Sequence, residues 1–146
     1  RYLAYGAGCD FIILDHLSLV FSGQANDNER IAIDNAMTEL AAFCNESGVG
    51  IITVVHLSRN KAKGSFNEGA EISLNDLRGS AALEQLSWNV LGLERSQQAE
   101  DEEAKNTSRI RILKARETGF TGMADECIYD FTTGRLLPKT GISLSY

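Results

Sequence analysis

The chain has 146 residues, 43% hydrophobic and 23% charged, with a formal net charge of −6, which describes one globular domain with room for a core. No apolar run approaches the roughly 18 residues of a membrane span, and the opening Arg1-Tyr2-Leu3-Ala4 has no signal-peptide pattern, so neither feature is predicted. Three widely spaced cysteines, Cys9, Cys44 and Cys127, include no CxxC pair; they exclude a disulfide framework and a cysteine zinc site.

Between Asp10 and Asp15 lies the unbroken apolar run Phe11-Ile12-Ile13-Leu14, the pattern of a short strand buried on both faces. The polar stretch 22–28 reads as a loop, with Asp27 or Asn28 as the cap of a following helix. From Glu29 to Glu46 apolar residues fall at 33, 36, 37, 40, 41 and 44, a helical spacing that Gly48 closes. Val49–Val55 is then a second buried strand. Strand, helix, strand predicts a βαβ unit and therefore a parallel sheet.

Residues 56–76 read as a long polar loop, basic at its start. Asn75–Leu86 predicts a short helix capped by Asn75, and Trp88–Leu93 a third strand. The segment 97–107, with Glu100-Asp101-Glu102-Glu103 at its centre, predicts an exposed, disordered loop. Beyond it, Ile110 and Ile112 alternate with Ser108, Arg109 and Arg111, a glycine-bearing turn follows at 117–122, and Cys127–Phe131 supplies a partner strand. Such alternation about a turn predicts an antiparallel hairpin. The expected class is α/β: a parallel sheet at the front and an antiparallel end.

Charge divides unevenly along this order. Residues 1–55 hold 2 basic and 7 acidic side chains, whereas residues 56–146 hold 12 basic and 13 acidic. The cations of the later part cluster at Arg59, Lys61, Lys63 and again at Arg109, Arg111, Lys114, Arg116. Local basic loops can grip a phosphate backbone even in an acidic protein.

In parallel α/β sheets ligands gather outside the carboxyl ends of the strands. Three polar groups fall there in this reading: Asp15-His16, His56 and Glu94-Arg95. An apolar run ending in aspartate is the Walker B arrangement, whose carboxylate helps to hold magnesium opposite a triphosphate. Many buried strands also end in aspartate, so the feature alone does not decide. A histidine at a strand end is, by itself, a hydrogen-bonded residue at a sheet rim, and a basic loop by itself is a solvated surface.

Taken in order, Asp15-His16-Leu17-Ser18, Val55-His56-Leu57, Asp76-Leu77-Arg78-Gly79-Ser80-Ala81-Ala82-Leu83-Glu84-Gln85, Leu93-Glu94-Arg95 and Ile112-Leu113-Lys114-Ala115-Arg116 with Gly119 and Gly122 resemble the C-terminal half of the DnaB-like hexameric replicative helicases. The resemblance is nearest to the bacteriophage primase-helicase branch and its mitochondrial relative Twinkle, because position 56 is histidine rather than glutamine. It covers residues 1–138 and leaves 139–146 as a tail. It implies a partial RecA-like P-loop ATPase core.

By that resemblance Asp15 is the Walker B aspartate and a magnesium-holding residue, and His56 is the sensor of the γ-phosphate. Arg59, Lys61 and Lys63 lie on a channel loop that meets single-stranded DNA. One or two cations per subunit, repeated around a ring, track phosphates without reading sequence. Arg78 and Gln85 belong to a motif that faces the same channel, although Arg78 could equally brace its helix. Arg116 resembles the arginine finger that reaches a neighbour's nucleotide, with Lys114 beside it. The implied cofactors of the full-length protein are ATP or dTTP and Mg2+. The implied partners are single-stranded DNA, identical subunits in a hexameric ring, and primase and replisome proteins, in the cytoplasm of a bacterial or phage-infected cell or in the mitochondrial matrix. Translocation of the 5'-3' type goes with the family.

Two residues depart from the phage pattern: Trp88 stands where it usually has an acid, and Glu84 where it can carry arginine. A larger departure is that no GxxxxGK[ST] run occurs, so the amides, lysine and hydroxyl that cradle a triphosphate are lacking. The expectation is a fragment without its Walker A half, binding no nucleotide by itself and prone to self-association through an open sheet edge. Two rivals stand beside it: a RecA- or KaiC-like ATPase, and a non-catalytic module for oligomerisation or single-strand DNA binding.

Overall fold

A computed structural model describes residues 1–17, 26–58, 65–77 and 81–139, with only the backbone of 26–29. The chain forms two compact units, Arg1–Ser58 with Leu77–Ser87, and Arg59–Asp76 with Trp88–Tyr146.

The first unit opens with a π-helical turn, Tyr2–Gly6, followed by strand β1 (Phe11–Leu14), helix α1 (Asn26–Ser47), strand β2 (Gly50–Thr53) and, after the excursion of the other unit, helix α2 (Ala81–Leu86). β1 and β2 are parallel, with Phe11 opposite Gly50 and Leu14 opposite Thr53. The pairing follows from the connection: a helical crossover returns the chain in the same direction. α1 ends where expected. Gly48 adopts φ +73°, a left-handed conformation that favours glycine, and its N–H donates to the Cys44 carbonyl at 2.9 Å.

Ile33, Met37 and Leu40 recur at helical spacing along α1. Ile33 and Met37 are buried with Leu17 and Leu83, and Leu40 packs against that cluster with Leu14, Val55, Leu77 and Ala82. The outer side of the pair is different. Phe11, Ile13, Ile52 and Val54 are exposed, so β1 and β2 are covered on one face only among the described residues, not on both as their composition predicts. The run is apolar throughout, but α1 packs on one side of it.

The second unit is an antiparallel meander of β3 (Asn89–Arg95), β4 (Thr107–Ala115), β5 (Gly122–Asp130) and β6 (Arg135–Pro138), with helix α3 (Glu102–Asn106) before β4. The hairpin expected near the C-terminus is therefore part of a four-stranded sheet. β3 joins this sheet rather than extending the parallel one. The register skips Leu113 on β4 and Ala124 on β5, marking two β-bulges.

Two local expectations are corrected. The acidic segment 97–107 contains α3: the Asp101 carboxylate accepts from the Ala104 N–H at 2.8 Å, and Glu102 and Glu103 occupy the first turn, where negative charge suits the helix dipole. Composition alone concealed a helix held by its cap. The helix expected over 75–86 is shorter. Leu74–Asp76 forms a 3-10 turn, the fully buried Asp76 accepts from the Ser73 N–H and hydroxyl, and α2 is described over Ala81–Leu86.

Candidate functional site

At the carboxyl end of the parallel pair, the Val54 N–H donates to the Leu14 carbonyl at 2.9 Å and the Leu17 N–H donates to the Val54 carbonyl at 3.0 Å. These bonds hold the segments leaving β1 and β2 side by side. Asp15 is exposed there, joined to His16 by a cis peptide bond. The His16 ring meets the His56 ring edge-on, with centroids 4.2 Å apart and planes at 65°. His16 Nδ1 is buried and has no hydrogen-bond partner among the described residues, while His56 is exposed. Asp15 and the paired imidazoles of His16 and His56 thus follow the same end of the parallel pair. The carboxylate suits a hydrated cation, and the exposed imidazole can hydrogen-bond an anion.

No group of three or more histidine, cysteine or acidic side chains able to hold a metal occurs among the described residues. A single carboxylate nonetheless suits magnesium, which takes one or two carboxylates and completes its shell with water and substrate phosphates.

The third predicted strand-end group belongs to the second unit and is held in its own network. Glu94 sits within β3, 3% exposed, where Arg111 Nε donates to Oε1 at 2.7 Å and the Ile72 N–H donates to the same oxygen at 2.9 Å. Arg111 also pairs with Glu71 at 2.9 Å, and its hydrogen bond to Glu94, then the charges of Glu94 and Glu71, hold the guanidinium above its already high value. Arg95 donates to the Lys105 carbonyl at 2.8 Å and to Asn106 Oδ1 at 3.2 Å, closing the end of α3. Glu94 and Arg95 are structural. An antiparallel partner strand bearing arginines at alternate positions was the sequence signal for this.

Lys114 lies near the end of β4, just beyond the Leu113 bulge and opposite Val90, and Arg116 follows the strand's last residue. The Arg116 N–H donates to the Trp88 carbonyl at 3.0 Å, and its guanidinium carbon stands 5.2 Å from the Trp88 ring centre. Trp88 was visible in the sequence only as a departure from pattern. Gln85 is exposed on α2. Arg59, Lys61, Lys63 and Arg78 lie outside the described residues.

Residues 1–131 match the sequence family of the DnaB-like helicase C terminal domain. The chain belongs to that family. It is also 41% identical over 139 residues to the DNA helicase/primase of Enterobacteria phage T3, an overlap covering 95% of this chain and 24% of that protein. The resemblance read from the five motifs is therefore borne out, including its phage side. A parallel pair joined through α1 and an antiparallel sheet fit the RecA-like core of a DnaB-like domain. DnaB-like helicases in general use a nucleotide and Mg2+. No described helix of this DnaB-like chain is long and apolar enough to cross a membrane.

Proposed function

We propose that this DnaB-like segment is the C-terminal part of the motor of a ring-forming, ATP-dependent replicative DNA helicase, working in phage DNA replication. The observation that supports it best is the contact of the His16 and His56 rings, with Asp15 next to His16 in the chain, at one end of the parallel pair. In this reading Asp15 would hold magnesium, directly or through water. The bound metal and triphosphate supply charge neutralisation and a cleavable phosphoanhydride. His56 hydrogen-bonds the terminal phosphate and passes its loss to the segment that follows in the chain. There Arg59, Lys61 and Lys63 meet the single-stranded DNA backbone, with Arg78 and Gln85 on the same channel. Arg116, with Lys114 beside it, faces the nucleotide of the neighbouring subunit in a homo-oligomeric ring and offsets charge that grows in the transition state.

The test uses the full-length protein encoded by the parent gene. Asp15→Asn and His56→Ala should each reduce nucleotide turnover stimulated by single-stranded DNA by at least about a hundredfold, the scale of losing one aligned electrostatic group. His56→Ala should leave nucleotide binding intact. Full stimulated turnover in His56→Ala defeats the sensor role, and magnesium-dependent turnover by the 146-residue chain alone defeats the reading of it as an incomplete motor.

A further inference from the structure

We infer that Trp88 is a positioning residue for Arg116, holding the guanidinium in the attitude in which it meets a phosphate; this rests on the reading of Arg116 given above. Three observations meet at this corner of the antiparallel sheet. The Leu113 bulge redirects the last residues of β4, as bulges do where a side chain must be re-aimed. The Arg116 N–H bond to the Trp88 carbonyl then ties the arginine backbone to the start of β3. Finally the indole face lies under the guanidinium at 5.2 Å, inside the range of a cation–π contact.

Trp88 is not a core residue, being 58% exposed, so its ring is not explained by burial. An arginine side chain has many rotamers, and electrostatic catalysis requires its charge to be in place before the reaction begins. An indole face suits this task better than a carboxylate would: it orients a cation without neutralising it. Trp88 itself touches no reacting atom. Its effect passes through Arg116 alone.

The experiment again uses the full-length protein, with turnover stimulated by single-stranded DNA. Trp88→Ala and Trp88→Leu should each lower kcat by about three- to tenfold, the scale of one partly exposed cation–π contact, with KM for the nucleotide changed by less than about twofold. Trp88→Phe, which keeps a ring face, should restore most of kcat. In an Arg116→Ala background, itself severely impaired, Trp88→Ala should cost nothing more. Trp88 is the sole tryptophan of this chain, so the difference in emission between the wild type and Trp88→Phe isolates its signal. That signal should change when a non-hydrolysable nucleotide and single-stranded DNA are added, and Arg116→Ala should abolish the change. Wild-type kcat in Trp88→Leu, additive losses in the double variant, or an emission change that survives Arg116→Ala overturns the inference and leaves the proposed function standing. Wild-type turnover in Arg116→Ala overturns the role of Arg116 and the inference with it.

Discussion

Asp15 and Glu94 both follow short apolar runs, and the two ends have opposite fates. Asp15 stands where a parallel strand stops, exposed, and is followed by His16, whose ring meets that of His56. Glu94 lies within an antiparallel ladder opposite Arg109, buried against Arg111 and the Ile72 amide. Sheet direction accounts for the difference. A parallel strand needs a helical crossover and releases its carboxyl end into open space, where ligands collect. An antiparallel neighbour runs back alongside and brings its own side chains to the same place. A carboxylate ending an apolar run is thus a candidate ligand in one context and an anchor in the other.

The largest test of this contrast is Glu94→Ala. It leaves the Arg111 guanidinium and the Ile72 N–H without their buried acceptor, and should destabilise the chain by about 3–5 kcal/mol in urea unfolding. Asp15→Ala should shift stability by less than about 0.5 kcal/mol and be felt in nucleotide turnover of the full-length protein instead. Equal unfolding shifts in the two variants would erase the distinction.

The same contrast explains what the sequence made legible. The βαβ unit was readable because Ile33, Met37 and Leu40 follow the helical period and Gly48 ends it, all local signals. The placement of Asp15 and His56 at the same end of the pair was readable because a parallel pair puts the ends of its two strands together. The third strand was misplaced because nothing local in Asn89–Arg95 says which neighbour it will pair with; that depends on Arg109 and Arg111, more than a dozen residues on. Trp88 looked like an irregularity because its partner, Arg116, is distant in sequence and near only through the β3–β4 register. Among the proposed site residues, the basic loop and Arg78 rest on the motif order alone.

A middle-sized effect sharpens the picture on the antiparallel side. There, short polar side chains support elements too short to form on propensity: α3 has five residues, and isolated helices of that length are unstable in water. Asp101→Ala removes the acceptor of the Ala104 N–H and should cost about 1 kcal/mol. Amide hydrogen exchange should show this as faster exchange at Ala104 and its neighbours, with β1 and β2 unchanged. Unchanged protection at Ala104 would mean that Arg95, bound to the other end of α3, holds the helix without its cap.

The smallest expected effect belongs to the turn joining β5 and β6. The Thr133 hydroxyl donates to Asp130 Oδ2 at 2.6 Å and the Thr132 N–H donates to Oδ1 at 2.9 Å. The hydrogen bond from Thr133, followed by that from Thr132, holds the Asp130 carboxyl below its usual value of 3.8. A group whose pKa is lower folded than unfolded contributes stability that is complete above the unfolded value and lost as pH falls through the folded one. The turn's contribution should therefore be present at neutral pH and fade in acid below the ordinary aspartate range. Asp130→Asn keeps an acceptor oxygen but cannot titrate, so the difference in Tm between wild type and variant isolates this carboxyl from the others. That difference should be constant across the neutral range and shift in the variant's favour as the solution is acidified. A difference that stays level down to about pH 2 would mean that the hydrogen bonds to Asp130 do not distinguish the charged carboxylate from its neutral form.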